Sequence, residues 1–227
     1  MTDSAFYFDH LYPLQDRVIK IFTQVETGFY LTGGTAASRG YLQHRFSDDL
    51  DLFVNDDDRF GLWVERAIHA LSQSQGWACE VLMKEERFAR LNLKGNEVFL
   101  KLEFVNDVPA RVGEVQDHPV LGRLDSGENI LANKITALLD REEPKDLADV
   151  WGFCCKMNLS LPVAITNAQS KAAGVFPADL ARILCSAKLG DWQAIRWISA
   201  PPAEVFLSQL NELGEKLLLL GLRNSGY

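Results

Sequence analysis

Two aspartates one residue apart, Asp49 and Asp51, head the apolar run Leu50, Leu52, Phe53 and Val54. Residues i and i+2 of a strand point to the same side, so both carboxylates can converge on one cation while Leu50 and Leu52 face away. Oxygen ligands of this kind suit Mg²⁺, which is usually held by one or two carboxylates together with substrate phosphates. Upstream, Gly33, Gly34 and Thr35 follow the β-prone run Phe29, Tyr30 and Leu31. Glycine lets the backbone come close to phosphate oxygens, and free amides at the start of a following helix favour an anion there. The third element is Glu103 in "FLKLEF", an acid among strand residues. A buried carboxylate is costly unless paired or bound to metal, so Glu103 is a candidate third ligand.

Each part alone is a weak signal. A D-x-D at a loop-to-strand junction is often a solvated pair, and Gly-Gly is a common turn. The combination is more specific, because each part fills a separate role in holding Mg²⁺ and a triphosphate. Competing patterns are missing: there is no P-loop, G-x-G-x-x-G, H-E-x-x-H or G-x-S-x-G. The acid-rich run 48–58 does not place glycine sixth and glutamate twelfth in either of its likely EF-hand frames.

The elements that must position these residues follow from periodicity. Leu11, Leu14, Val18, Ile21 and Phe22 recur at helical spacings over 11–25, predicting an amphipathic helix that ends near Gly28. A strand over 29–31 then gives way to the glycine turn and a helix capped by Thr35 and running to about Tyr41. After the strand over 50–54, Asp56, Asp57 and Asp58 supply an N-cap and first-turn acids for a helix to about Gln75. Three further strands are expected over 77–83, 88–93 and 98–105, the middle one alternating like a half-exposed antiparallel strand. Segment 109–125, with two prolines, two glycines and little periodicity, reads as a connection. Beyond it the chain looks helical, with helices marked by Ile130, Ile135, Leu138 and Leu139, by Leu147, Val150 and Trp151, and by Leu180, Ile183 and Leu184. A last helix carries the seam Phe206, Leu210, Leu213, Leu217 and Leu220. The expected fold is α+β: a small mixed β-sheet core flanked by helices over 1–115, then a helical C-terminal domain over 116–227.

The bulk numbers agree with one or two ordinary globular domains. The chain has 227 residues, 47% hydrophobic and 24% charged, with no apolar run long enough for a membrane helix. No signal peptide is legible at the start, so the expected compartment is the cytoplasm. Cys79, Cys154, Cys155 and Cys185 show no zinc-ligand spacing and are expected as buried small apolar residues. A net charge of −8 argues against non-specific nucleic-acid binding as the main task. Lys84, Arg87, Arg90, Lys94 and Lys101 could still form a local basic face or a solvated strand surface.

The stretches "GGTAASRGYLQHRFSDDLDLF" and "ILANKITALLDREEPKDLADVW" together resemble the AbiEii/AbiGii toxin family of nucleotidyltransferases. The resemblance implies that Gly33, Gly34 and Thr35 bind the nucleotide and that Asp49 and Asp51 hold magnesium. It implies functional roles for Lys134 and Asp146, with Asp149 one helical turn later. Read from the residues alone, Lys134 sits among Ile130, Leu131, Ile135 and Leu138 and could equally be a structural lysine whose stem runs along apolar surface. Asp146 could pair with Lys134 or Lys145, or follow Pro144 as a first-turn helix acid.

The resemblance further implies an Mg²⁺-dependent transfer of a nucleoside monophosphate from an NTP, with two Mg²⁺ ions, to an acceptor hydroxyl. The acceptor would be tRNA or a protein, and the toxin would have a cognate antitoxin. Two rival readings keep the fold: a small-molecule nucleotidyltransferase acting on a cationic, aminoglycoside-like acceptor, and a catalytically silent nucleotide-binding or regulatory module.

Overall fold

The computed structural model describes residues 3–95 and 98–224, and the chain divides into two compact units. The first is formed by the chain up to Gly40 with Phe46–Ser126, the second by Tyr41–Arg45 with the chain from Gly127 onward.

In the first unit, α1 (Asp3–Phe6), a π-helical turn (Tyr7–Leu11) and α2 (Tyr12–Phe22) run on without a break, since Phe6, Leu11 and Tyr12 keep right-handed helical angles. The helix expected over 11–25 thus starts earlier and stops at Phe22. There follow β1 (Tyr30–Thr32), α3 (Gly33–Thr35), a π-helical stretch (Ala36–Leu42), β2 (Leu50–Asn55), α4 (Phe60–Gln73), β3 (Ala78–Lys84), β4 (Phe88–Gly95) and β5 (Val98–Asp107). Two short strands, β6 (Gln116–His118) and β7 (Gly122–Leu124), complete a seven-stranded sheet ordered β3-β4-β5-β2-β1-β7-β6. The sheet is mixed: β2 runs parallel to β5 and β1 to β7, and the other pairs are antiparallel. β6 and β7 lie in the stretch expected as irregular connection and beyond the boundary expected at 115/116.

Strict alternation gives the central strands two unlike faces. Leu50, Leu52 and Val54, with Leu91, Leu93, Leu100, Leu102 and Phe104, are buried on one face. Phe22 and Phe29 meet Phe104 edge-on at 5.9 and 5.0 Å, and Phe29 in turn meets Trp63 of α4. Their neighbours in sequence fall on the other face.

Two capping expectations change. The helix after the glycine turn begins at Gly33 with Thr32 as its N-cap, and Thr35 lies inside it. Arg59, not an aspartate, precedes α4, because Asp56 takes a positive φ of 46° and turns the chain before the helix starts. The Asp57 carboxylate instead accepts the Arg59 amide at 2.9 Å.

The second unit is built of helices: α5 (Gly127–Arg141), α6 (Pro144–Trp151) continued by a π-helical turn (Gly152–Lys156), α7 (Leu161–Gln169), α8 (Pro177–Cys185), α9 (Leu189–Ala194) and α10 (Ala203–Asn224). Prolines in the first turn of α6, α7 and α8 fit starts where the missing amide is not needed. On α10, Phe206, Leu210 and Leu217 are buried as the seam predicts, and the helix packs on α8. Leu213 is only half-buried, its place on the seam being taken by the buried Gly214, and the side chain of Leu220 lies outside the described residues.

Three of the four cysteines depart from expectation. Cys154 is buried, Cys79 and Cys155 are half-buried and Cys185 is exposed, all as free thiols. Burial pushes the Cys154 thiol up to about 12 and that of Cys155 to about 11, so neither is a ready nucleophile. Among the described residues no helix is long and apolar enough to cross a membrane.

Candidate active site

The half-exposed face of the sheet carries a row of polar side chains running across four strands. Register pairs Arg90 on β4 with Glu103 on β5, Glu103 with Asp51 on β2, and Asp51 with Thr32 on β1. Directly paired residues share a face, so the two expected acids Asp51 and Glu103 are neighbours. Asp49, just before β2, lies on the same side through Lys101, whose Nζ is 2.9 Å from Asp49 Oδ2 and 3.2 Å from Glu103 Oε1. Glu103 Oε1 also accepts from Arg90, at 2.7 Å from Nη2 and 2.9 Å from Nε.

The glycine turn is fitted to Asp51. Gly33 has φ +67°, a region side-chain-bearing residues rarely adopt, and a Cβ at Gly33 would overlap the Asp51 carboxylate. The turn therefore lies directly against one of the two aspartates. Thr35 is wholly buried and its hydroxyl donates to the Asp49 carbonyl, with Ser47 Oγ at 3.1 Å. That hydroxyl braces the loop before β2 rather than facing outward.

The same loop is held from the N-terminal helices. Gln15, buried on α2, donates to the Asp48 carbonyl at 2.9 Å and the Ser47 carbonyl at 3.3 Å, and its own Oε1 accepts Arg39 Nη1 at 2.9 Å. The Tyr7 hydroxyl donates to Asp48 Oδ1, and its ring stacks on Phe46 at 4.2 Å. On the other flank Thr32 donates to the buried Asp125 at 2.7 Å, just after β7.

Among the described residues no group of three or more His, Cys, Asp or Glu side chains is arranged to hold a metal. The donor chemistry nonetheless fits a hard cation at Asp49 and Asp51, and the Lys101 ammonium already supplies a positive charge at Asp49. Burial opposes that charge, but the hydrogen bond and charge of Asp49, then Glu103, outweigh it and raise the Lys101 pKa. Glu103 fits less simply, because two cations already occupy it. A cavity of about 390 Å³, lined by Ile19, Phe22, Phe29, Leu31, Leu52 and Leu121, lies on the opposite, apolar face of the sheet and does not include the acids.

Lys134 and Asp146 lie in the second unit, in a buried network of charges. Lys134 Nζ is 2.8 Å from Asp146 Oδ1 and 2.7 Å from Asp149 Oδ2, with only 7% of the lysine side chain exposed. Asp149 is wholly buried and also accepts Arg45 through Nε at 2.8 Å and Nη2 at 2.7 Å, and His44 Nε2 at 3.0 Å. Arg141 holds the other oxygen of Asp146 at 2.8 Å. Burial works against all these charges. Arg45 and Lys134 nevertheless hold the Asp149 carboxyl well below the usual range, and Asp149 and Asp146 raise the Lys134 ammonium. Burial lowers His44, which is then neutral near pH 7, donating from Nε2 and leaving Nδ1 without a hydrogen-bond partner among the described residues.

Residues 21–154, more than half the chain, match the family model described as nucleotidyl transferase AbiEii toxin, type IV toxin–antitoxin system. The chain belongs to that family.

It is accordingly a nucleotidyltransferase of a toxin family, and the matched span of this AbiEii-family chain contains the glycine turn, the three acids, Lys134 and Asp146. Solved structures share the fold at low identity. JHP933 from Helicobacter pylori aligns with TM-score 0.64 and 19% identity over 99% of this chain and 96% of its own. A putative nucleotidyltransferase from H. pylori gives 0.61 and 18% over the whole of both chains. MenT4, a nucleotidyltransferase toxin of Mycobacterium tuberculosis, gives 0.59 and 16% over 92% of this chain and 82% of its own. No curated protein matches significantly.

Several residues of the acid face in the first unit, and of the buried charge network in the second, were not singled out by the sequence of this AbiEii-family chain. Lys101 and Arg90 counted only as members of a basic run, although a lysine two positions before Glu103 on a strand must share its face. Gln15, Arg45 and His44 gave no such signal, since their partners are distant in sequence.

Proposed function

We propose that this protein transfers a nucleoside monophosphate from an NTP to an acceptor hydroxyl with the help of Mg²⁺ held at Asp49 and Asp51. The observation that carries the reading is the seating of Asp51 against the left-handed Gly33 turn, which brings a metal-type carboxylate and a close-approach backbone to one spot. Gly33, Gly34 and the Thr35 backbone would receive the triphosphate, and the Thr35 hydroxyl would hold Asp49 in place. Bound Mg²⁺, two ions in this reading, supplies charge neutralisation for the triphosphate and a template for in-line displacement. The acceptor oxygen forms a bond to the α-phosphorus, the α–β bridging bond breaks, pyrophosphate leaves, and the hydroxyl proton passes to water. Glu103, its carboxylate already held by Arg90 and Lys101, is better suited to ordering these cations beside the acids. Lys134 and Asp146 enter on the family resemblance, as residues required for transfer.

For the acceptor we favour tRNA or a protein, within a toxin system that has a cognate antitoxin, in line with the family description. A small cationic acceptor is the second reading, favoured by the net charge of −8. The test is incubation with NTP labelled at the α- or the γ-phosphate, Mg²⁺, and cellular RNA, protein or an aminoglycoside in separate reactions. Label from the α-position, and none from the γ-position, should appear on one acceptor class. Transfer of γ-label, or α-transfer undiminished in Asp49→Ala, would refute the mechanism.

A further inference from the structure

The acid face contains its own cation. β5 is hydrogen-bonded to β2 on one side and β4 on the other, so the Lys101 backbone is fixed while its four-carbon stem is free to rotate. The ammonium reaches Asp49 Oδ2 at 2.9 Å and Glu103 Oε1 at 3.2 Å, with about a third of the side chain exposed. Arg90 takes Glu103 from the far side, at 2.7 Å, so Glu103 keeps a partner if Lys101 leaves. Among the described residues no second cation pairs with Asp49, and a divalent ion at Asp49 needs the oxygen that Lys101 holds.

We infer that Lys101 is a resident counter-ion of the metal-binding aspartates: it occupies Asp49 when no divalent cation is bound, and is displaced from Asp49 when one binds. The inference rests on the reading of Asp49 and Asp51 as metal ligands. Its consequence is competition. The intrinsic affinity of the acids for a divalent cation is partly masked by the ammonium, and the released ammonium, with three donors on a flexible stem, becomes available to an anionic phosphate. A lysine suits this role better than an arginine, whose planar fork would hold a carboxylate more rigidly.

The test is titration of the full-length chain with Mn²⁺ in the absence of nucleotide, following free Mn²⁺ by electron paramagnetic resonance. Lys101→Met should bind Mn²⁺ roughly tenfold more tightly than the natural chain, the scale of removing one unit charge a few ångströms away at a partly exposed site. Lys101→Gln provides a second variant should the methionine disturb folding. In the natural chain, saturating Mn²⁺ should raise acetylation of Lys101 by an amine-reactive anhydride several-fold, read by mass spectrometry, because the freed ammonium is more accessible. Equal or weaker Mn²⁺ binding by Lys101→Met, or Lys101 acetylation unchanged by Mn²⁺, would overturn the inference while leaving the metal reading intact. Absence of Mn²⁺ binding in both natural chain and variants would overturn the metal reading itself, and the inference with it.

Discussion

Gly33 is where the smallest substitution should have the largest effect on the acids. Its φ of +67° strains any side chain, and a Cβ would displace the Asp51 carboxylate. Gly33→Ala should therefore lose transfer activity about a hundredfold or more while costing only about 1–3 kcal/mol of stability, the range for such backbone strain. Activity assays beside urea unfolding would separate the two effects. Asp149 presents the reverse case, being a group whose loss should first be felt in the fold. It is wholly buried and accepts from Arg45, Lys134 and His44. Asp149→Ala leaves Arg45 short of its carboxylate in a buried site and should cost about 3–5 kcal/mol in urea unfolding.

The pH dependence follows from the same network. Both Asp149 and His44 have folded pKa values below their unfolded ones, near 3.9 and 6.5. Groups of this sign stabilise above the unfolded pKa, and the contribution is lost as pH falls towards and through the folded one. Stability should start to decline as pH drops below about 6.5 through His44 and fall further below about 4 through Asp149. His44→Gln should flatten the first part of that decline in thermal denaturation curves measured from pH 8 to 5. An unchanged slope would remove His44 from the account.

At the scale of elements, α8 and α10 come close together at Gly214. A Cβ there would come within 2.5 Å of Cys185 Sγ and 2.9 Å of the Ala181 carbonyl. In a free helix Gly→Ala gains up to about 1 kcal/mol, but forcing two packed helices apart costs about 1–3 kcal/mol. Gly214→Ala should thus lower the melting temperature, whereas a rise would show that the helices can separate freely.

The elements were legible to different degrees, and for physical reasons. β2, β4 and β5 were readable because one buried face forces alternation along the whole strand. β6 and β7 were not, since three residues are too few to show a period and their pairing partners lie far along the chain. The D-x-D pair and the glycine turn were visible because their geometry is local. The seating of Asp51 on Gly33 depends on β1 and β2 lying side by side, which spacing alone does not reveal. The Arg45–Asp149–Lys134 cluster was half visible: Lys134 and Asp149 share a helical neighbourhood, but Arg45 arrives from a loop about a hundred residues away. Thr35 was read as a cap because its type suits one, and buried hydrogen bonding to the Asp49 carbonyl overrode that preference.

At the scale of the whole molecule, the family places the chain among nucleotidyltransferase toxins, and the proposed function puts that chemistry on the acid face. If the acceptor is cellular RNA or protein, expression should arrest growth, and Asp51→Ala should relieve the arrest without lowering the amount of protein. Arrest that persists with Asp51→Ala would separate toxicity from this site. The most direct measurement is pyrophosphate release with NTP, Mg²⁺ and the identified acceptor, comparing the natural chain with Asp51→Asn after both are shown to be folded by circular dichroism. If Asp51 holds the metal as proposed, its loss should remove several kcal/mol of transition-state stabilisation, about a thousandfold in rate. The account predicts a fall of that order in Asp51→Asn; a folded variant releasing pyrophosphate at the natural rate would contradict it.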